Sequence, residues 1–258
     1  MAGYPGSTSW LLKAGLMVLT NPDSWVFACL QSQSQWGEEY MVIDIFGWHD
    51  KRGGVYVEIG ALDGVDWSNT LYLHTCLGWS GVLVEGSPYN FHKLQRQVLD
   101  VRGSNVIAHF GAVCAPPMTN VRFMESTLGS ARGHCSGDVN HLPRALTEKF
   151  NKTYADRRPR SPCRPMSAYL NMSHVDFFSL DVEGSELEVL LTLDFKRVTV
   201  DVFMVEFHKE DWLTGPDAAK NWKICNLFHN LGYHECQRRK VIGSELFVRL
   251  DSPYVERC

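Results

Sequence analysis

The run Val55-Tyr-Val-Glu-Ile-Gly-Ala-Leu-Asp-Gly64 carries the clearest indication of fold and ligand in this chain. It reads as an apolar strand that ends in a carboxylate, a glycine turn and a second carboxylate. A dinucleotide site would need glycines at the first, third and sixth places, because backbone N–H groups must approach a pyrophosphate. Here Leu62 takes the second glycine's place, and the carboxylate of Asp63 would repel phosphate. The run therefore favours a cationic nucleoside ligand such as S-adenosylmethionine.

A second acidic strand end follows at a suggestive distance. The segment Gly81-Val-Leu-Val-Glu-Gly-Ser-Pro88 reads as a buried strand that ends in Glu85. In nucleotide-binding βαβ units, an acid at this place accepts hydrogen bonds from both ribose hydroxyls. The segment between the strands is amphipathic and ends at Gly78, which can supply a left-handed C-cap. Solvent-facing carboxylates are the alternative for Glu58 and Glu85, but the pair at this spacing favours a ligand.

Four short motifs along the chain resemble those of one known family. They are Glu58-Ile-Gly-Ala-Leu-Asp-Gly64, Ser68-Asn-Thr-Leu71, Gly78-Trp-Ser-Gly-Val-Leu-Val-Glu-Gly-Ser-Pro88 and Asp176-Phe-Phe-Ser-Leu-Asp-Val-Glu-Gly-Ser-Glu186. The family is that of the FkbM-type S-adenosylmethionine-dependent methyltransferases, and the resemblance runs from about Ser34 to Leu250. It implies a seven-stranded methyltransferase sheet and methyl transfer, usually to a hydroxyl oxygen. The family's acceptors range over sugars, polyketides and other small metabolites.

The alternation of apolar strands and amphipathic helices predicts an α/β fold. Strands are predicted at Val55–Ile59, Val82–Glu85, Val106–Phe110, Val175–Val182 and Val200–Phe207. Helices are predicted within 37–47, 68–79 and 88–99, from Ser185, and over Ala218–Leu231. The segments Tyr233–Arg238 and Glu245–Leu250 predict a C-terminal hairpin around Gly243. The predicted class is a doubly wound, mostly parallel, seven-stranded Rossmann-like sheet with a C-terminal antiparallel hairpin.

The length of 258 residues with 45% hydrophobic content fits one large domain. We predict an N-terminal extension over 1–33 and a methyltransferase domain over 34–258. Within that domain, 115–165 is rich in Pro, Gly, Ser, His and charge, with one short strand predicted at Val121–Met124. Long stretches without periodicity are usually functional or disordered. This irregular insertion is therefore either a lid over the acceptor or a surface insertion.

Composition narrows the partners and the compartment. A net charge of −4 gives no reason to expect nucleic acid as a partner. No apolar stretch reaches the roughly twenty residues of a transmembrane helix. The eight cysteines include no C-x-x-C pair, so a zinc site is not expected, but their even number permits disulfides. Two glycosylation sequons, at Asn151 and Asn171, would matter only in a secretory lumen. The cytoplasm is slightly favoured, with the lumen as the alternative.

Ligands of open α/β sheets bind outside the carboxyl ends of the strands. This rule and the glycine turns select the candidate cofactor residues Glu58, Gly60, Asp63, Gly64, Asn69, Glu85, Gly111, Ala112 and Asp181. Among them, Glu85 is the candidate partner of the ribose. Ser68 and Asn69 lie where the first helix of the predicted sheet unit starts, so helix capping is the default interpretation for both, and contact with the methionine end of the cofactor is the alternative.

For methyl transfer to a hydroxyl, the protein must align the acceptor with the methyl group and help to remove the hydroxyl proton. Asp181 follows an apolar run, so it can accept that proton, orient a base or hold the ammonium group of the cofactor. His208 lies two residues after Glu206, on the same face if the strand persists, and histidine titrates near neutrality. A hydrogen-bonded rim histidine is the alternative. Carboxylate oxygens also suit Mg²⁺, but nothing in the sequence marks a dedicated metal site.

The sequence thus predicts an S-adenosylmethionine-dependent methyltransferase with Asp181 and His208 as catalytic residues. The predicted reaction is O-methylation of a hydroxyl group on a sugar or another small metabolite. The alternative is a non-catalytic FkbM-like interaction module of the secretory pathway, because a fold does not by itself guarantee catalysis.

Overall fold

The computed structural model describes residues 29, 32–125, 136–142, 159–207, 218–237 and 241–258. The strands in chain order are β1 (Val55–Ile59), β2 (Ser80–Glu85), β3 (Val106–Phe110), β4 (Ala112–Val113), β5 (Asn120–Glu125), β6 (Ser136–Asp138), β7 (Arg160–Arg164), β8 (His174–Leu180), β9 (Thr199–Glu206), β10 (Tyr233–Glu235) and β11 (Ser244–Arg249). The helices are α1 (Glu38–Phe46), α2 (Leu71–Leu77), α3 (Pro88–Gln97), α4 (Glu186–Leu191) and α5 (Ala218–Asn230).

Seven strands form the central sheet in the order β3-β2-β1-β8-β9-β11-β10. The first five of these strands are parallel, and β11 pairs antiparallel with both β9 and β10. The predicted doubly wound, mostly parallel sheet with a C-terminal antiparallel hairpin is therefore confirmed. The chain order reverses between β1 and β8, and such a switch point opens a crevice at the carboxyl ends of the strands.

The two faces of the sheet bury separate apolar layers, because successive side chains of a strand point to opposite sides. Phe178 packs in the layer under α5, where Phe228 stacks on Phe247 with ring centroids 4.1 Å apart. Phe177 faces the other layer and lies 5.9 Å from Trp48, ring centroid to ring centroid. Complete burial of a side chain of this size contributes about 1.5–3 kcal/mol. These layers fix the strand ends that carry the site.

Local signals explain several helix boundaries. Ser87 accepts the N–H of Asn90 at 3.2 Å and precedes a proline, so α3 begins there. Gly78 ends α2 in the left-handed conformation, as predicted. Ser185 does occupy the N-cap position of α4, but its side chain makes no capping hydrogen bond.

A second sheet has the order β4-β7-β5-β6; the strands β5, β6 and β7 lie within the region predicted as an irregular insertion over 115–165, and β4 precedes it. The described part of that region is therefore not irregular, and the strand predicted at Val121–Met124 is β5. The sequence did not reveal the other strands, because they are short and their partners are far away along the chain. A disulfide between Cys114 and Cys163 joins the residue after β4 to the neighbouring strand β7.

The predicted extension over 1–33 lies almost wholly outside the described residues, apart from Cys29, which is disulfide-bonded to Cys76, and residues 32–33. A third disulfide joins Cys236 and Cys258. Within the described ranges, no helix combines the length and the apolar character that crossing a membrane requires.

Candidate active site

A cavity of about 300 Å³ lies at the carboxyl ends of β1, β2, β8 and β9, where the switch point places it. Its wall includes the strand-end residues Ile59, Gly60, Leu62, Val84, Glu85, Gly86, Asp181, Val182, Glu183 and Glu206. The second sheet and the turn before it close the opposite side with Gly111, Ala112, Val113, Phe123, Ser136 and Asp138. Five of the predicted cofactor residues therefore line this cavity, namely Gly60, Glu85, Gly111, Ala112 and Asp181.

The Gly60 turn allows β1 and β8 to approach closely at the cavity. Its backbone has a φ of +83°, and a Cβ atom at this position would lie 1.7 Å from the carbonyl oxygen of Asp181. The N–H of Gly60 donates to the carbonyl oxygen of Val84 at 3.0 Å, and the N–H of Asp181 donates to that of Ile59 at 3.1 Å. A side chain at residue 60 would separate these strand ends.

Glu85 connects the turns that follow β1 and β2. It is 4% exposed, and its carboxyl oxygens accept the N–H groups of Leu62 at 2.8 Å and Ser87 at 2.7 Å. Burial, with a smaller contribution from the nearby carboxylate of Glu125, raises the pKa of Glu85 to about 8. Each carboxyl oxygen has two lone pairs, so the group can still accept hydrogen bonds from a ligand in the cavity.

Glu58 does not line the cavity. This carboxylate is 3% exposed and accepts the N–H of Asn69 at 2.7 Å, with the hydroxyls of Ser68 and Thr70 at 2.8 and 2.5 Å. The guanidinium of Arg102 lies 3.6 Å away. Glu58 therefore holds the end of β1 against the start of α2 through contacts inside the protein.

Three further candidates also lie behind the cavity wall. Asp63 accepts the N–H groups of Val65 and Asp66 at 3.1 and 2.9 Å, and the carbonyl oxygen of Gly64 accepts from Arg102. The remaining one is Asn69, whose side-chain amide donates to the hydroxyl of Ser179 at 3.1 Å. The side chain of Asn69 therefore bonds to β8 and does not cap the helix as predicted. The hydroxyl of Ser68 does accept the N–H groups of Thr70 and Leu71 at the start of α2.

Three acids meet where β8 and β9 end. The side chains of Asp181 and Glu206 are hydrogen-bonded to each other, and Glu183 lies beside them. Burial is the main cause of their altered acidity: it raises the pKa of Asp181 to about 6 and that of Glu183 to about 8. Burial and the neighbouring carboxylates raise the pKa of Glu206 well above its ordinary range. All three carboxyl groups are therefore weaker acids than exposed Asp or Glu side chains.

Backbone strain coincides with the cavity. Among the described residues, the non-glycine residues with positive φ are Leu62, Trp67 and Glu183, with values between 53° and 59°. All three line the cavity. Such conformations cost on the order of 1–3 kcal/mol each and concentrate at functional sites. The sequence favoured simple core or rim packing for Trp67, which is 41% exposed.

The second sheet closes the cavity over the acid cluster. A Cβ atom at Gly137 would lie 3.2 Å from the Cβ of Glu183, so β6 passes directly against this residue. His141 connects the same segment to α4, with Nδ1 3.2 Å from Asp138 Oδ2 and Nε2 3.6 Å from Glu188 Oε1. The hydrogen bond to Asp138 raises the pKa of His141. His208, the other predicted catalytic residue, lies outside the described residues.

A family comparison now identifies the chain. The model of the methyltransferase FkbM domain matches residues 58–235, which include both acidic strand ends and the acid cluster. The chain belongs to the FkbM methyltransferase family. It is therefore an S-adenosylmethionine-dependent methyltransferase, as predicted. No protein of curated function matches the sequence.

Several solved structures resemble this family member over most of its length. The O-methyltransferase from Bacillus cereus in complex with SAH is 10% identical, with 93% of this chain and 96% of that chain covered and a TM-score of 0.49. The cofactor-bound Rv0187 from MTB is 13% identical, with 97% and 99% covered and a TM-score of 0.49. A SAM-dependent methyltransferase from Aquifex aeolicus is 12% identical, with 82% and 87% covered and a TM-score of 0.42.

The residues of the cavity fit the charge of this cofactor. Among the described residues, no Lys, Arg or His lines the cavity, whereas the carboxyl groups of Glu85, Asp138, Asp181, Glu183 and Glu206 do. S-adenosylmethionine supplies a methyl group that its positively charged sulfur activates for transfer. Such a cation favours the ionised form of the carboxyl groups around it, which stabilise it in return, and the bare backbone at Gly60 gives it close access to the strand ends.

Proposed function

We propose that this family member transfers a methyl group to a hydroxyl oxygen of a neutral sugar or another small metabolite. The observation that carries the proposal is the meeting of Glu85, Gly60 and the Asp181–Glu206 pair in one cavity. An acid suited to a ribose, a glycine turn and an acid pair that titrates near neutrality together supply what O-methylation needs. These parts bind a nucleoside and remove a proton.

We assign the adenosine part of the cofactor to the first half of the cavity wall. Glu85 would accept hydrogen bonds from the ribose hydroxyls, and the turn around Gly60 would lie against the sugar. Gly111 and Ala112 would contact the base, because they follow the strand next to β2. Four predicted cofactor residues would affect cofactor binding only indirectly, because they fix the turns around the cavity without lining it. They are Glu58, Asp63, Gly64 and Asn69.

We assign proton removal to Asp181, which shares a hydrogen bond with Glu206. Burial raises the pKa of Asp181 to about 6, so at neutral pH the carboxylate form predominates and can still take up a proton. A general base is most effective when its pKa lies near the working pH. His208 remains a second candidate for this role, at the chain position that follows β9.

The charge of the cavity also limits the acceptor. No basic side chain of the described residues lines the cavity to pair with a phosphate or carboxylate of an acceptor, and the carboxylate of Asp181, with a pKa of about 6, would repel such a group. A neutral polyhydroxy compound meets no such repulsion, and carboxyl groups are good acceptors for its hydroxyl protons. This electrostatic argument supports neutral sugars over sugar phosphates.

The test has two stages. Calorimetric titration with S-adenosylhomocysteine should give a saturable signal, and tighter binding of NAD would contradict the cofactor assignment. A screen with labelled methyl donor should then compare neutral sugars and polyols with their phosphorylated forms. Methyl transfer to the neutral member of a pair, and none to the phosphate, is the expected result. Transfer only to phosphorylated acceptors would refute the charge argument.

The non-catalytic alternative is a binding module that keeps the cofactor site. Three disulfides among the described residues fit the secretory setting of that alternative. The two functions differ in turnover: a module would bind S-adenosylhomocysteine but methylate nothing in an extract of the cells that produce it. Labelled products in such an extract would favour the enzyme.

A further inference from the structure

We propose that Asn171 carries an N-linked oligosaccharide and that the chain matures in an oxidising secretory lumen. The sequence Asn171-Met-Ser173 has the acceptor pattern for this modification, because the residue after the asparagine is not proline and a hydroxyl residue follows it. Neither the family nor the proposed reaction requires this site. The proposal therefore stands on the geometry around Asn171 and on the cysteines.

The folded protein leaves Asn171 accessible. Asn171 and Ser173 are both exposed and lie in the irregular segment that leads into β8. Met172 between them is partly buried against the apolar layer, which turns its two neighbours outward. No side chain in the described part of the chain is hydrogen-bonded to the Asn171 amide. An oligosaccharide on this nitrogen would displace no contact.

The position of Asn171 keeps an oligosaccharide away from the cavity. Asn171 precedes β8, whereas Asp181 follows it, so the two residues lie at opposite ends of one buried strand. A strand of this length spans roughly 23 Å, at about 3.3 Å per residue. A bulky group at Asn171 thus projects from the edge of the sheet opposite the cavity. Modification and cofactor binding are compatible.

The cysteines indicate the same compartment independently. Three disulfides pair Cys29 with Cys76, Cys114 with Cys163, and Cys236 with Cys258. They join positions 47, 49 and 22 residues apart in sequence, so they hold distant parts of the fold together. Disulfides of this kind form and persist in secreted proteins and are rare in the cytosol.

The remaining described cysteine fits an oxidising environment as well. Cys225 is free and partly buried in α5. Burial raises the pKa of its thiol to about 12, so almost none of it is the reactive thiolate at neutral pH. A free thiol of this kind does not exchange readily with the disulfides.

The chemistry of the modification is a group transfer by the host's transferase from a lipid diphosphate-linked oligosaccharide. The amide nitrogen of Asn171 forms a bond to the first sugar carbon, and the bond between that carbon and the diphosphate oxygen breaks. The lipid diphosphate leaves with the bonding electrons, and the amide releases one proton. The reaction requires no oxidant or reductant.

The test uses the full chain with a cleavable secretion leader in eukaryotic cells. Peptide mass mapping after N-glycosidase treatment should show Asn171 converted to Asp, because the enzyme deamidates the asparagine that it releases. Ser173→Ala should abolish the conversion, and the matched variant Ser173→Thr, which keeps the sequon, should retain it. Asn151→Gln removes the second sequon without affecting Asn171. The oligosaccharide is transferred before the protein leaves the cell, so any protein that remains inside the cell is mapped in the same way.

Two results would overturn the proposal. The first is an unmodified Asn171 in the wild-type and Ser173→Thr chains. The second is a count of eight free thiols under denaturing conditions in a chain purified from its natural source. Three disulfides use six of the eight cysteines and therefore leave at most two free thiols. Titration of Ser173→Ala with S-adenosylhomocysteine separates this question from the proposed function. Its affinity should equal that of the wild type whichever way the glycan result falls.

Discussion

Gly60 and Asp181 lie in direct backbone contact, so that a single methyl group at residue 60 would lie 1.7 Å from the carbonyl oxygen of Asp181. The two residues follow β1 and β8, the strands between which the chain order reverses. This contact brings the cofactor turn and the acid cluster to one cavity. The glycine requirement at residue 60 is therefore a requirement of the site as well as of the turn.

Gly60→Ala should disrupt the cavity more than the strain of an alanine at a positive φ would by itself. The matched control is Gly53→Ala, because Gly53 has a φ of +67° and open space around it. Both variants should lose about 1–2 kcal/mol of unfolding free energy from the left-handed backbone. Gly60→Ala should lose about 1–3 kcal/mol more, since β1 or β8 must move. Denaturant unfolding and titration with S-adenosylhomocysteine measure both effects, and equal losses would contradict the contact.

Glu85→Ala should weaken cofactor binding by about 1–3 kcal/mol, the worth of two hydrogen bonds to the ribose at about 0.5–1.5 kcal/mol each. The control is Asp201→Ala, because Asp201 is equally buried and accepts a hydrogen bond from Arg249, but does not line the cavity. Both variants should lose stability, and only Glu85→Ala should lose affinity in calorimetric titration. Unchanged affinity of folded Glu85→Ala would show that this acid is not the partner of the ribose.

The Cys114–Cys163 disulfide should support the cofactor cavity, because it joins the strands of the second sheet that close it. Replacing both cysteines by serine should cost about 2–4 kcal/mol of unfolding free energy and reduce cofactor affinity. The matched pair is Cys236 and Cys258, which are joined outside the second sheet. Its double serine variant should lose stability and keep its affinity. If the wild type and both double serine variants bound the cofactor equally tightly, the second sheet would not contribute to cofactor binding.

The central sheet could be predicted because its strands are continuous apolar runs bounded by glycine or acids. Val55–Ile59 and Val106–Phe110 agree with the structure to the residue. The second sheet could not be predicted in the same way. Ser136–Asp138 contains no apolar residue, and its strand pairing depends on residues that only the folded chain brings together.

Within the site, the strand-end rule correctly placed Glu85 and Asp181 at the cavity. It could not separate them from Glu58, because all three are acids at the end of apolar strands. The difference lies in Arg102 and in the hydroxyls beside it, which enclose Glu58 inside the protein. Those partners come from distant parts of the chain, so no local pattern reveals them.

Asp181→Asn should reduce turnover by orders of magnitude while changing cofactor affinity little, because the asparagine keeps the shape but cannot take up a proton. The matched control is Asp176→Asn, which replaces a buried acid at the opposite end of β8. That variant loses the ion pair with Lys51 and therefore stability, but its turnover per folded molecule should remain.

The pH profile gives the second measurement on the same residue. Burial raises the pKa of Asp181 to about 6, and the base must be ionised to accept a proton. The turnover of the wild type should therefore rise as the pH increases through about 6 and then level off, and this limb should be absent from the residual activity of Asp181→Asn. A limb that persists in Asp181→Asn and disappears in His208→Ala would transfer the role of the base to His208.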